Sequence, residues 1–304
     1  MITTHKYDGE TWVDIDSGTP EEILGVMDTY KIHPLLAREL SGSDRKARVE
    51  FHGDYIYCIL HFPAFKHSHG KEINQEVDFI IGRNVLVTGR YDTVDALEKF
   101  GKSLEVKEVL EKEHRDLGSN FIFIGLLEEL YAGLFDELAY IEDLTEDITR
   151  KIFQGRERDM VVAISEVTRT LLDFKKATDL HHDVLDTLFH RGRAVFGDEF
   201  SRGVEAVMLD YLKVGSAVKS NLEMLRELRD TNNSLLSTKQ NETMRQLTVM
   251  GFVVMPLSLI AWIFAMRTEG MPLITNPNAF WIVLTIMIAV ALVTLTYAKH
   301  KKWL

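Results

Sequence analysis

Two uninterrupted apolar runs close the sequence, and they constrain it more than any other feature. They are Leu247 to Met266 (LTVMGFVVMPLSLIAWIFAM) and Phe280 to Ala298 (FWIVLTIMIAVALVTLTYA), and neither holds a charged residue. At about 1.5 Å per residue, a helix of roughly 20 residues matches a hydrocarbon core of about 30 Å. Trp262 near one end of the first run, and Trp281, Tyr297 and Trp303 near the ends of the second, suit an interfacial aromatic belt. The competing reading is a buried hairpin inside a soluble domain. A matched pair of this length with basic flanks favours two membrane spans.

Charge divides the chain at the same place. Residues 248–304 hold one acid, Glu269, and four strong bases, Arg267, Lys299, Lys301 and Lys302, a net of +3. The whole chain carries 46 acids and 35 bases, so residues 1–247 keep 45 and 31, a net of −14. An acidic head of this size argues against nucleic-acid binding. The single cysteine, Cys58, permits no internal disulfide.

The opening MITTHKYDGE is polar and shows no signal-peptide pattern. Two spans place both termini on one side, and the Lys299-His300-Lys301-Lys302 cluster assigns that side to the cytoplasm. The expectation is a multi-pass protein of the cell (inner) membrane with a cytoplasmic head. Between the spans lie 13 residues, Arg267 to Ala279, with two prolines. That is too short for an external domain and long enough for the rim of a pore.

The head reads as two kinds of structure. Tyr55–Phe62 is rich in β-branched and aromatic residues and follows the turn signal His52-Gly53-Asp54. Val77–Ile81, Gly82-Arg83-Asn84 and Val85–Thr88 predict a hairpin, while Pro20–Leu40 and Thr93–Lys112 predict helix. No proline occurs from Ala64 to Met255, which permits very long helices. The pattern predicts one helix over Phe121–Phe153, a break near Gln154-Gly155, and a second helix from Arg156 to about His190. A third starts near Ser201 and meets no breaker before the membrane; Ser201 to Met266 is 66 residues, about 100 Å if continuously helical. Gly203, Gly215 and Gly251 lower local rigidity without ending it. So long a helix needs neighbours, and self-association supplies them.

The expected segments are therefore a cytoplasmic α/β domain (1–118), a pair of long hanging helices (119–200), a stalk helix (201–247), a first span (247–266), an outer loop (267–279), a second span (280–298) and a basic tail (299–304). One face of the third helix continues into the first span. Asp230, Ser237, Asn241, Met244, Thr248, Gly251, Met255, Ser258 and Trp262 follow at intervals of 7, 4, 3, 4, 3, 4, 3 and 4. Small and hydroxylated residues on such a face suit either close helix–helix contact or the lining of a narrow water-filled path.

Several motifs in order resemble the CorA family of divalent-cation channels. They are Asn241 to Thr248 (NETMRQLT), Met255-Pro256-Leu257, Glu269-Gly270-Met271-Pro272 and Lys301-Lys302-Trp303-Leu304. Trp12-Val13-Asp14-Ile15, His33-Pro34-Leu35 and Tyr55–Pro63 in the head are also similar to that family. The resemblance implies a funnel-shaped homopentamer in a lipid bilayer, with the first span lining the pore and the second facing lipid. It implies pore-lining roles for Asp230, Asn241, Met244, Leu247, Gly251, Met255 and Ser258. Met244, Leu247 and Met255 would form constrictions that gate by excluding water. The cargo would be Mg²⁺ or another divalent cation (Co²⁺, Ni²⁺ or Zn²⁺), moved passively by its electrochemical gradient, with no covalently bound cofactor.

The outer mouth departs from the family. Where the family carries Gly-Met-Asn, this sequence has Ala265-Met266-Arg267. Asparagine offers an oxygen to a hydrated cation, whereas arginine has no acceptor. Five guanidinium groups roughly 8 Å from a divalent ion in water repel it by about 5 kcal/mol before screening. Glu269 is placed to offset part of that charge. Three readings follow: a pore of altered selectivity, a pore that conducts as the family does with Arg267 turned outward, and a non-conducting membrane-anchored regulatory or scaffold protein.

Many family members also place an aspartate in the stalk that binds a regulatory Mg²⁺ between subunits. The matching stretch here is Glu205-Ala206-Val207-Met208-Leu209-Asp210, which leaves Glu205 and Asp210 as candidates, against solvated charges on a helix. His182, Asp186 and His190 share a helix face, and His61, His67 and His69 surround a loop; both sets suit solvated polar residues better than metal ligands. Glu137, Asp143, Glu146 and Asp147 make the hanging helices acidic, which raises the local cation concentration. No nucleotide-binding glycine loop and no nucleophile motif occurs, so no enzyme is expected.

Overall fold

The computed structural model describes residues 1–7, 9–40, 42, 46–64, 73–92, 94–110, 119–266 and 277–301. They fall into two units, Met1–Arg229 and Asp230–Leu304.

The first unit is built on six strands: β1 (Ile2–Tyr7), β2 (Glu10–Asp16), β3 (Arg48–His52), β4 (Tyr55–Ala64), β5 (Ile73–Ile81) and β6 (Val85–Arg90). They form one sheet in the order β1-β2-β6-β5-β4-β3. Only β2 and β6 pair in parallel, with Asp14 opposite Thr88; every other pair is antiparallel. The hairpin expected around Gly82-Arg83-Asn84 is β5–β6. Strand β4 runs two residues beyond the expected Phe62. Strands β1, β2 and β3 carry no strong local signal, being short or punctuated by charge, and pairing with neighbours creates them.

Burial on both faces explains the apolar density of β4 and β6. On one face, Val13, Ile15, Tyr57, Ile59, Ile80 and Val87 pack with Ile23, Met27 and Leu36 from α1 (Pro20–Tyr30) and α2 (Leu35–Glu39). Helix α1 starts in a capping box: Thr19 N–H donates to Glu22 Oε2 at 2.9 Å, and Glu22 N–H donates to Thr19 Oγ1 at 3.3 Å. It ends at Lys31, whose φ of 55° is left-handed. That turn splits the single helical stretch expected over Pro20–Leu40 into two.

The other sheet face meets α3 (Asp95–Leu110) and α4 (Ser119–Phe153) through rings: Trp12 against Phe100, Phe79 against Phe123, and Phe62 against Tyr131. A buried polar chain crosses this face. Trp12 Nε1 donates to Thr88 Oγ1 at 2.9 Å, Thr88 Oγ1 donates to Asp14 Oδ1 at 2.7 Å, and Arg90 Nε donates to Asp14 Oδ2 at 3.0 Å.

The helix expected from Arg156 to about His190 is instead two, α5 (Glu157–Thr178) and α6 (His181–Phe196). The break coincides with His181, which is fully buried and held by tertiary bonds. Its Nδ1 lies 2.7 Å from the Tyr131 hydroxyl and its Nε2 lies 3.0 Å from the His61 carbonyl oxygen. Helix α7 (Asp198–Ala265) is unbroken, as its lack of stop signals predicts. In the first unit it buries Val204, Val207, Val214, Val218, Asn221, Leu225 and Leu228, a stripe at intervals of 3, 7, 4, 3, 4 and 3 that keeps to one helix face.

The second unit contains the remainder of α7 and α8 (Ala279–His300). Both helices are long and apolar enough to cross a membrane. They meet where Val249 and Ala298 are buried and the rings of Phe252 and Tyr297 lie 6.0 Å apart. Pro256 lies inside α7, so the hydrogen bond its nitrogen would give Phe252 is absent, yet the helix continues to Ala265.

Candidate ion-conduction face

Within the apolar part of α7, Val249, Val253, Pro256, Leu257, Ile260 and Phe264 are buried or half-buried. At 100° per residue they share one side of the helix, the side that meets α8. The residues of the candidate face lie opposite. Asp230, Asn241, Met244, Leu247, Thr248, Gly251, Met255 and Trp262 are all exposed, and Ser258 is half-buried. Leu247 stands at the margin, one turn from Met244 and about 60° around the helix. A methyl at Gly251 would meet nothing within 4 Å, so the face is open at that level.

The two hydroxyls of this face that lie in the apolar run have their hydrogens directed into the helix. Thr248 Oγ1 donates to the Met244 carbonyl at 2.8 Å, and Ser258 Oγ donates to the Val254 carbonyl at 3.0 Å. Each oxygen therefore presents lone pairs outward. A hexahydrated Mg²⁺ directs its water hydrogens outward and needs acceptors, which Thr248, Ser258 and the amide oxygen of Asn241 can supply without stripping the ion's water. Met244 and Met255 offer no such acceptor of comparable strength. The face thus alternates levels that carry outward acceptors with levels that carry none.

The family model described as CorA-like Mg2+ transporter protein matches residues 7–300. The chain belongs to the CorA family. It is 23% identical over 296 residues to the cobalt/magnesium transport protein CorA of Thermotoga maritima, covering 97% of this chain and 83% of that protein. It is 24% identical over 299 residues to the cobalt/magnesium transport protein CorA of Methanocaldococcus jannaschii, covering 96% and 91%. The complete structure of the CorA magnesium transporter from M. jannaschii superposes with a TM-score of 0.84 at 23% identity, covering 97% of this chain and 92% of that one. The α/β domain, the long helix and the two C-terminal apolar helices are thus the fold of CorA.

At the C-terminal end of α7, Ala265 and Met266 are exposed, and the Met266 N–H lies 3.2 Å from the Trp262 carbonyl. Arg267 and Glu269, the charged members of the expected CorA mouth, lie outside the described residues. In the first unit, Glu205 is exposed, and the Asp210 carboxylate accepts from Lys213 Nζ at 2.7 Å. Among the described residues, no three His, Cys, Asp or Glu side chains converge to hold a metal ion. His190 contacts Asp186 at 3.5 Å, whereas His182 contacts the neighbouring Asp183 at 3.6 Å, so that stripe does not close on one point. His61 lies 3.5 Å from Glu76; His67 and His69 lie outside the described residues.

Sequence reasoning passed over His181. Burial pushes its pKa down to about 3, only partly opposed by its bond to the His61 backbone. It is a neutral hinge pin between β4, α4 and α6. Its polarity beside Leu180 and His182 gives no local sign of burial; only the partners 50 and 120 residues away reveal it.

Proposed function

We propose that this chain is a membrane transporter that passes divalent cations, Mg²⁺ first and Co²⁺ as an alternative cargo, along the α7 face running from Asp230 to Ser258. Copies of the chain surround a common axis, five by the family resemblance, with α8 outside against lipid. Both termini and the head lie in the cytoplasm of the cell membrane. The observation that carries this reading is the two-sidedness of α7 in its apolar part: from Val249 onward one side is spent on α8, and the opposite side carries Thr248 and Ser258 with their lone pairs outward, in line with Asn241 at helical spacing.

The ion moves hydrated. Asp230 concentrates cations at the inner end, Asn241 receives the water shell, and Met244, Leu247 and Met255 close the path when it dewets. The membrane potential drives entry, at about 2.3 kcal/mol per elementary charge per 100 mV. Glu205 and Asp210 remain the acids for a regulatory ion between subunits, and such an ion must displace Lys213 from Asp210. Nothing in the fold or the relatives favours the non-conducting scaffold.

Uptake into liposomes holding the purified full chain tests the proposal. Mg²⁺, Co²⁺, Ni²⁺ and Zn²⁺ are supplied one at a time outside, with an inward-negative potential. Uptake of Mg²⁺ or Co²⁺ above protein-free liposomes is expected. No flux of any of the four ions sinks the proposal.

A further inference from the structure

Trp262 is the largest side chain on the open side of α7, and it is 71% exposed. It stands seven residues beyond Met255, within about 20° of it around the helix and roughly 10.5 Å further along. Ile260 and Phe264, which flank it, are half-buried on the side of α8 and lie about 160° away. An indole serving only as an interfacial anchor has no need to share the line of Met244, Gly251 and Met255. We propose that Trp262 forms an aromatic collar just inside the outer mouth, and that this collar limits the passage of hydrated divalent cations. The proposal rests on the conduction reading of the same helix face and adds a width-setting residue to it.

The chemistry of indole supports the role. Its one polar group, Nε1–H, only donates, so it cannot receive the outward hydrogens of a hydrated ion. Its π face attracts cations weakly, far below what would replace the water of Mg²⁺. An Mg–O distance of about 2.1 Å plus a water radius of about 1.4 Å makes hexahydrated Mg²⁺ about 7 Å across. The ion must therefore pass the collar whole, and the rings must stand apart to admit it. One turn inward, Ser258 again offers lone pairs, so the collar separates the mouth from the first acceptor level.

Two measurements on the full chain in liposomes decide this. In the first, Thr248→Cys and Trp262→Cys are exposed to a small, charged, water-soluble thiol reagent on both sides; the parent chain, whose one cysteine, Cys58, is fully buried, gives the blank. In the second, initial Mg²⁺ uptake is compared for the parent, Trp262→Phe and Trp262→Ala. Labelling of both cysteines is expected, with uptake raised at least threefold in Trp262→Ala and less in Trp262→Phe. Labelling at Thr248→Cys without labelling at Trp262→Cys overturns the collar and leaves the conduction face standing. Labelling at neither overturns the conduction face itself. Labelling at both with uptake unchanged or lowered in both Trp262 variants overturns the collar as the limiting element.

Discussion

The imidazole of His181 bridges two distant parts of the head, with Nδ1 2.7 Å from the Tyr131 hydroxyl and Nε2 3.0 Å from the His61 carbonyl oxygen. Burial holds its pKa near 3, below the unfolded value of 6.5. The unfolded chain therefore takes up a proton first as pH falls. The stability that neutral His181 contributes is fully present above about pH 6.5 and is lost progressively down to about pH 3, at up to about 1.4 kcal/mol per pH unit. Thermal unfolding of the purified protein in detergent at pH 7, 6, 5 and 4 should show Tm falling below pH 6.5. His181→Gln should be less stable at pH 7 and show a shallower fall; an equal slope in the variant assigns the acid sensitivity elsewhere.

Asp14 joins Thr88 and Arg90 in a buried chain across β2 and β6. Asp14→Ala strands the Arg90 guanidinium, which among the described residues keeps only longer contacts to Asp16 at 3.5 Å and Glu98 at 3.7 Å. The expected loss is about 3–5 kcal/mol, as for other broken buried ion pairs. Asp14→Asn should cost less, because the amide oxygen still accepts one bond. Chemical denaturation of the three proteins side by side checks the order.

At Thr248 the hydroxyl hydrogen is satisfied by its own helix, so in the proposed path only the outward lone pairs bear on the ion. Thr248→Val keeps shape and removes them. Mg²⁺ uptake should fall about two- to fivefold, a cost of about 0.4–1 kcal/mol to the transport barrier, with Tm nearly unchanged. Uptake equal to that of the parent would remove Thr248 from the path.

In the proposed pore, Ala265→Gly with Arg267→Asn removes a ring of positive charge from the mouth and supplies amide oxygens. A repulsion of about 5 kcal/mol before screening is reduced by salt to a fraction of that. Initial Mg²⁺ uptake should rise about tenfold at low ionic strength and less at high. A rate that ignores both the substitution and the salt would show that Arg267 faces away from the ion.

The spans, the long helices and the β5–β6 hairpin were legible in the sequence because each is written locally. Apolar length marks α8, missing breakers mark α7, and Gly82-Arg83-Asn84 marks the turn. Strands β1, β2 and β3 were not legible. Ile2–Tyr7 alternates weakly and Arg48–His52 carries three titratable residues, so neighbours rather than propensity make them strands. The break between α5 and α6 was hidden for the same reason, since the tertiary bonds of His181 mark it. The candidate face was readable as a row from Asp230 to Trp262. Its direction was not, because only the packing of Val249 against the α8 side tells which side of α7 remains open.

The parallel pairing of β2 with β6 also governs when this protein can fold during synthesis. The partners Asp14 and Thr88 are 74 residues apart, so β2 must wait, unpaired on that edge, until the ribosome has released β6. A further 157 residues separate Arg90 from Leu247. At about 5–20 residues per second that is an interval of roughly 8–30 s before the first apolar span is made. The sheet therefore has that interval in which to close, its slow, long-range pairing free to form before the first apolar span leaves the ribosome.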